Sequence, residues 1–372
     1  MRTRILLFLL GLVLVPSLTY LVILFARGYR PNFANRELRP TGILVATSLP
    51  NGAQVLVNSQ LKSATDTSLN LDPGTYQVEI KKQGFSPWTK TLQIEAEIVT
   101  RAAATLFPTV PSLKAITTSG ASSPSLSPDG TKIVYLSQTK LYTLDLSESP
   151  LGLLNRDSKL LYELRISPGY ELIWSPDSKQ VLAISTPSAQ LIDLNQSSAK
   201  LIASPSGLLA QWSQLRASAE RQKFVTLPTR LQEILATAAA DLIWSPKENR
   251  LLYTATSSAI IPDNLIRSLP GSSTQPQSRT LSAGKTYVYD VEEDRNFELT
   301  TKDLTWFSDS AHLIHTKNSQ VTILEYDNTN KTVVYAGPME LDFALPYPSG
   351  KQLLILTNLN LSPTSLPNLY AV

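Results

Sequence analysis

The chain has no cysteine and only two histidines in 372 residues. Without cysteine there is no disulfide, no thiolate nucleophile, no covalent haem attachment and no cysteine-ligated zinc. With His312 and His315 as the only imidazoles, few groups can move protons near neutral pH. Charge of one sign is missing as well. Lys and Arg number 33 against 30 Asp and Glu, a formal charge of +3, so no basic field marks nucleic acid as a main partner. Neither a G-x-S-x-G nucleophile elbow nor a glycine-rich phosphate loop occurs. The residues therefore assign no catalytic, cofactor or metal position, and they leave any binding residues unknown.

The length admits two folded units plus extra segments. There are 25 Pro and 15 Gly, and helix-forming runs are sparse, which predicts an all-β chain rich in turns. The one long hydrophobic run is Ile5 to Ala26, uncharged and interrupted only by Ser17, Thr19 and Tyr20. As a helix of roughly 33 Å it reaches across a bilayer core. A cleaved signal would show a shorter apolar core of about 7–15 residues and a small-residue cleavage site. No A-x-A pattern closes this run, so residues 1–27 read as an uncleaved single-pass anchor, with the bilayer as partner of residues 5–26. Pro16 within it is tolerated in a membrane helix. Arg2 and Arg4 favour a cytoplasmic amino terminus, whereas Arg27, Arg30, Arg36 and Arg39 pull the other way. Long downstream domains translocate despite such charges, and the folded part is expected outside the cytoplasm.

After a linker over 28–41 the pattern turns to period two. Ile43 and Val45, Val55 and Val57, Leu69 and Leu71, Val78 and Ile80, Leu92 and Ile94 alternate with polar neighbours. That is the signature of half-buried strands. Pro50-Asn51-Gly52, Asp72-Pro73-Gly74 and Gln83-Gly84 supply the turns. Residues 42–108 thus predict a small β-sandwich. The run Ser48-Leu49-Pro50-Asn51-Gly52-Ala53 with Val55-Leu56-Val57-Asn58, then Leu69-Asn70-Leu71-Asp72-Pro73-Gly74-Thr75-Tyr76, then Lys82-Gln83-Gly84-Phe85, resembles the PEGA domain. Asn51 replaces the Glu of the name motif, and Asn58-Ser59 stands where Asp-Gly is usual. The resemblance implies a surface or envelope module without catalysis of its own. Phe85 and Trp88 are expected in the sandwich core rather than on a ligand platform.

Residues 112–372 carry an internal repeat. Leu172-Ile173-Trp174-Ser175-Pro176-Asp177 and Leu242-Ile243-Trp244-Ser245-Pro246-Lys247 are two copies, and Ser125-Leu126-Ser127-Pro128-Asp129-Gly130 is a third. Weaker copies begin at Trp212, Trp306 and Pro346. The anchors 126, 174, 212, 244, 306 and 346 recur at about 44 residues, a blade-sized period. A ring of such units covers the apolar faces that each leaves open. The repeated tryptophan is expected to wedge between blades. The motif resembles the repeats of the TolB carboxy-terminal propeller, and that resemblance implies six blades, matching the six anchors. The order of anchor, PEGA module and propeller resembles membrane-anchored proteins of small-genome bacteria.

Two segments depart from the repeat. Thr229 to Gln232 resembles a capping box, and Leu231, Ile234, Leu235 and Ala238 follow at helical spacing, which predicts a short helix over about 230–239. Residues 257–285, rich in Ser, Pro, Gln and Thr, predict a long loop without structure of its own. The alternative there is a docking element carried by Ile260-Ile261 and Leu265-Ile266.

The remaining candidates for chemistry have structural readings. His312 and His315 lie on a predicted strand, where positions i and i+3 face opposite ways and cannot share a metal. Asp129, Asp177 and Asp309 sit in matching turns, where an aspartate bonds its own backbone. Glu292-Glu293-Asp294 reads as a solvated hairpin turn. The expected function is that of a membrane-anchored, extracytoplasmic, non-enzymatic envelope protein. Its propeller would be displayed to a protein, peptide or cell-wall glycan partner, with no cofactor. The alternatives are an enzyme acting on envelope polymers in the propeller funnel and a passive structural or adhesive protein. The enzyme would need carboxylates about 5–9.5 Å apart if it cut glycosidic bonds.

Overall fold

A computed structural model describes residues 2–32, 37–147, 158–164, 170–185, 188–267, 270–271, 273–359 and 366–372. The chain divides into two compact units. The first comprises residues 1–109 with 267–276, and the second residues 110–266 with 277–372.

The first unit opens with α1 (Arg2–Ala26), and its stretch Phe8–Ala26 has a mean hydropathy of 2.5 with none of it buried. By length and composition it can cross a membrane, and a signal sequence meets the same criterion. Ser17 and Thr19 donate their hydroxyls to the carbonyls of Val13 and Val15, so neither polar group is left open on the apolar surface. Behind α1 lies a two-sheet sandwich. One sheet has the order Thr67–Leu71, Gly42–Leu49, Val99–Thr105, with the last pair parallel. The other runs Gln60–Ala64, Gln54–Val57, Gly74–Lys81, Trp88–Ile94. The alternating apolar residues of both sheets meet in one core, which includes Leu44, Val55, Val57, Val78, Ile80, Leu92 and Ile94. Trp88 is buried in that core and Phe85 packs against it, so the aromatics face inward. Asn58 and Ser59 both have positive φ (48° and 65°) in the two-residue turn joining Val57 to Gln60. This is the backbone a type I′ hairpin demands, and asparagine tolerates it nearly as well as the Asp-Gly it replaces.

Among the described residues the second unit holds five four-stranded antiparallel sheets, numbered here as blades in chain order. Their first strands are Ser122–Leu126, Glu171–Trp174, Ala239–Trp244, Leu304–Trp306 and Ala344–Pro346. Every neighbouring pair except blades 2 and 3 is joined directly. Val134, Leu141 and Leu161 of blade 1 share a core with Trp174, Val181 and Ile192 of blade 2. Leu252, Val288 and Phe297 of blade 3 share one with Trp306, Leu313 and Leu324 of blade 4. Ser308 beside blade 4 donates to the Tyr347 carbonyl at 2.7 Å beside blade 5. Blades 5 and 1 meet through Leu354, Leu356 and Leu369 against Ile133, Tyr135 and Leu144. The short amino-terminal strand Lys114–Ala115 completes blade 5 by pairing with the carboxy-terminal strand Asn368–Ala371. First and last segments of the second unit are thus stitched into one sheet.

Between blades 2 and 3 the repeat is broken. The expected Trp212 copy is not a strand: Trp212 lies within α2 (Ser206–Phe224), and α3 (Thr229–Ala238) follows. Six blades are therefore not what the described residues form; five sheets and a helical pair make up the ring. Leu208, Leu209, Leu215 and the alanines give this stretch a helical pattern that competes with any strand reading. Trp212 is nonetheless buried, against Leu182 and Ala189 of blade 2, with Ile173, Ile184 and Leu191 around it. On the other side Leu231, Ile234, Leu235 and Ala238 of α3 cover Leu251, Tyr253 and Tyr287 of blade 3, and Phe224 of α2 joins them. The helical pair thus covers the two sheet faces that an additional blade would otherwise cover. The capping box at Thr229 does not form: the cap residue is Pro228, and Gln232 instead donates its side-chain amide to the Leu227 carbonyl at 2.7 Å.

The 257–285 excursion is ordered where described, which corrects the expectation of a structureless loop. Ala259–Ile260 pairs with Thr280–Leu281, Ile261 is buried, and Leu265 and Ile266 pack on the α3 cluster. Its tip belongs to the first unit. Gln275 donates its amide to the Thr91 carbonyl at 2.7 Å, and the Thr274 hydroxyl accepts from the Gln93 N–H at 3.2 Å. Thr91 and Gln93 lie on the outer strand of the four-stranded sheet, so the tip occupies groups that an edge would otherwise offer to another chain.

Two outcomes test this packing. Trp212→Ala should lower the stability of the full chain by about 3–5 kcal/mol in urea unfolding, as for other large-to-small core changes, while Leu215→Ala, half exposed on the same helix, should be near neutral. Gly271 has φ +78°, and a Cβ there would lie 2.3 Å from the Val99 carbonyl oxygen. Gly271→Ala should therefore release the tip and speed proteolytic cleavage within 267–276. Gly284→Ala, with a similar φ but open space around it, should leave the cleavage rate there unchanged.

Candidate functional site

The repeat motif builds the same turn in successive blades. In blade 1 the Ser127 hydroxyl donates to Asp129 at 2.6 Å and accepts from the Lys132 N–H, while Asp129 also takes the Thr131 N–H. In blade 2 Ser175 donates to Asp177 at 2.6 Å and accepts from the Gln180 N–H. In blade 3 Asn249 replaces the aspartate and Ser245 keeps its place, accepting from the Arg250 N–H. Successive turns also touch. The Asp129 N–H donates to Ser178, and the Lys247 N–H donates to Ser310 at 2.9 Å. Two of the repeat tryptophans fasten blades in the same register: Trp174 donates its indole N–H to the Ser125 carbonyl, and Trp306 to the Ile243 carbonyl at 3.0 Å. Trp244 is half-buried and packs in the α3 cluster rather than against a preceding blade.

The carboxylates are committed to these turns. Burial pushes Asp129 up, but bonds from Ser127 and Thr131 outweigh it and hold the group below its ordinary value. Asp177 is held down chiefly by the Ser175 hydroxyl, with burial opposing. In blade 4 Asp309 accepts the Ala311 and His312 N–H groups and lies 2.6 Å from His312 Nδ1. Burial pushes Asp309 up, yet the His312 hydrogen bond and charge and the two N–H bonds bring it below the usual carboxylate range. His312 is buried edge-on to Phe307, whereas His315 sits half-buried with Nδ1 3.4 Å from the Asp303 carbonyl. The two imidazoles serve separate surroundings. Among the described residues no group of three or more His, Asp or Glu is placed to hold a metal ion.

The other charged cluster bridges blades 3 and 4. Arg250 donates Nε to the fully buried Asp290 at 2.7 Å and Nη1 to the Ser310 carbonyl, and its guanidinium lies 3.8 Å from the centre of the Tyr326 ring. Asp290 in turn accepts the N–H groups of Glu292 and Glu293. Asp294 departs from the solvated turn expected for 292–294. It is 4% exposed, takes Arg279 at 3.1 Å and accepts the Tyr289 hydroxyl at 2.5 Å. Burial is the main cause that raises the Tyr289 and Tyr253 hydroxyls well above the ordinary tyrosine range. These groups therefore cement the blade 3 hairpin to the returning end of the 257–285 excursion, where Arg279 lies. No sequence signal identified the pairing, because its partners are separated by 40 residues at Arg250–Asp290.

In the first unit a groove of about 530 Å³ lies beside Gln54, Glu79, Lys81 and Lys82, with Phe85 and Pro87 at its wall. Gln54 and Lys81 are cross-strand partners, and Lys82 closes one end by donating to the Asn51 carbonyl at 2.5 Å. The arrangement offers charged groups of both signs, Glu79 against Lys81 and Lys82.

Residues 41–109 match the PEGA domain. Curated proteins yield no match to the chain. Solved structures similar to it include a protein assigned as TolB from Agrobacterium tumefaciens, at 13% identity and TM-score 0.23, spanning 66% of this chain and 76% of that one. TolB from Acinetobacter baumannii is similar at 16% identity and TM-score 0.23, over 80% of this chain and 59% of that one. An oligogalacturonate lyase in complex with manganese is similar at 10% identity and TM-score 0.25, over 80% and 82%. The family match is confined to residues 41–109, within the first unit.

The commitment of Asp309 has a pH consequence. A carboxyl whose folded pKa is depressed adds stability that is fully present above its unfolded value of about 3.9 and is lost as pH falls through the folded value. Asp309→Asn should therefore flatten the acid limb of the thermal-stability profile below about pH 4. An unchanged limb would show that Asp309 does not carry this turn.

Proposed function

We propose that the chain is a membrane-anchored extracytoplasmic protein that acts by binding, without catalysis, and displays its propeller to a protein, peptide or glycan partner in the cell envelope. The observation that supports this most is where the clustered carboxylates have gone. Asp129, Asp177 and Asp309 serve their own turns, and Asp290 and Asp294 serve partly buried arginines. A carboxylate so satisfied is poorly suited to proton transfer, because each bond to its ionised form makes protonation harder. The PEGA domain and the apolar α1 favour the envelope as the setting. A rigid ring with exposed turns is suited to present a surface, since binding residues concentrate on loops held by a fixed scaffold.

The test is photo-crosslinking in intact envelopes. Probes at Lys179 and Lys247, exposed on the repeat turns, should give the same discrete adducts, and a probe at Lys62 on the sandwich should not. Adducts indistinguishable across all three positions, or none from the ring, would overturn the reading. Protease added to spheroplasts should digest the folded units; complete protection would place them on the cytoplasmic side.

A further inference from the structure

The groove on the sandwich presents side chains to a ligand, and its strands have no open edge. Gln54 opens Gln54–Val57, and Glu79 and Lys81 end Gly74–Lys81, the two inner strands of the four-stranded sheet. Each of these strands is paired on both sides, so an extended peptide finds no ladder to join here. Val78 and Ile80 enter the core, which turns Glu79 and Lys81 to the outward face of the sheet. Gln54 stands directly across from Lys81 and shares that face. Phe85 and Pro87 wall the same groove.

An occupant must suit all of these groups together. The Gln54 amide offers donors and an acceptor, Glu79 only acceptors, and Lys81 and Lys82 only donors. Glu79 and Lys81 are partly exposed and lie 3.9 Å apart, too far for a hydrogen bond that would keep either from a ligand. Lys82 is held by the Asn51 carbonyl at one end of the groove. A strong anion here would face Glu79 and a cation would face the two lysines, and like charges so placed are unfavourable. An uncharged ligand rich in hydroxyls suits every group, since each hydroxyl both donates and accepts. A pyranose also has C–H groups on the faces of its ring, and these suit an apolar wall and the negative face of an aromatic ring. The volume of about 530 Å³ falls within the range of about 300–1,000 Å³ common to small-ligand sites.

We propose that this groove binds an uncharged sugar unit of a glycan chain. Gln54 and Glu79 take its hydroxyl protons, Lys81 donates to its oxygens, and Phe85 lies along its apolar side. The first unit then has a ligand of its own, and this site does not depend on what the propeller binds.

Isothermal titration of the full chain in phosphatidylcholine nanodiscs tests this. The probes are cellotetraose, maltotetraose and N-acetylchitotetraose, with tetragalacturonate and a chitosan tetramer as charged counterparts. At least one uncharged tetrasaccharide should bind saturably and more tightly than both charged ones. Glu79→Gln should weaken that binding by about ten-fold and Gln54→Ala by about three-fold, the scales of hydrogen bonds to charged and neutral groups. Lys62→Gln, on the outer strand Gln60–Ala64 and outside the groove, should leave it unchanged. Preference for either charged oligosaccharide would overturn the proposal, as would no saturable binding of any uncharged one. Undiminished binding by both groove variants, with unchanged thermal transitions showing that they are folded, would also overturn it. The sugar would then sit elsewhere, and the binding role of the ring would still stand.

Discussion

A four-stranded blade has two apolar faces and cannot cover either by itself. Everything in the second unit follows from that constraint. Leu182 and Leu191 of blade 2 point away from the core it shares with blade 1, and they must meet something. In most of the ring the partner is the next sheet. Between blades 2 and 3 it is a pair of helices, whose inward residues have the size and apolar character of a blade face. The hydrophobic requirement is indifferent to secondary structure, because burial is not directional. Closure adds the geometric condition: Lys114–Ala115 enters the same sheet as Asn368–Ala371, so the two ends of the unit hold one another.

The same logic explains how much of the ring was legible beforehand. Tryptophan ended the first strands of blades 2 and 4 at Trp174 and Trp306, and the turn serines and aspartates bonded their own turns because these are local interactions with local signatures. Trp212 misled for an instructive reason. It is buried, as the period implied, but against blade 2 alone and from a helix, and a periodic anchor reports what must be buried and not which backbone buries it. The helix at Thr229–Ala238 was readable since its apolar stripe is narrow and regular. The order in 257–285 was not, because it depends on contacts distant in sequence: Arg279 with Asp294, and Gln275 with the Thr91 carbonyl.

Polar groups in this protein are spent on cohesion. Asp290 and Asp294 are nearly or fully buried, and such charges are tolerated only when paired and bonded. Arg250 meets the first and Arg279 the second, and each arginine also reaches a backbone carbonyl. Breaking either pair would leave a buried charge unmet, which is far more damaging than replacing both partners together. Blade 3 therefore holds its place by charge as well as by packing, on the side facing blade 4.

The sandwich meets a related demand at its edges. A strand whose backbone groups face outward invites pairing by any extended chain. Here the tip of the blade 3 excursion fills part of that ladder from the same polypeptide, through side chains of Thr274 and Gln275 rather than a regular strand. Side-chain donors and acceptors satisfy that part of the edge without extending the sheet. Gly271 permits this approach because the Val99 carbonyl leaves no room for a β-carbon. A segment that composition marks as a loop is thus held by the two properties its composition supplies, small residues for close approach and amides for hydrogen bonding.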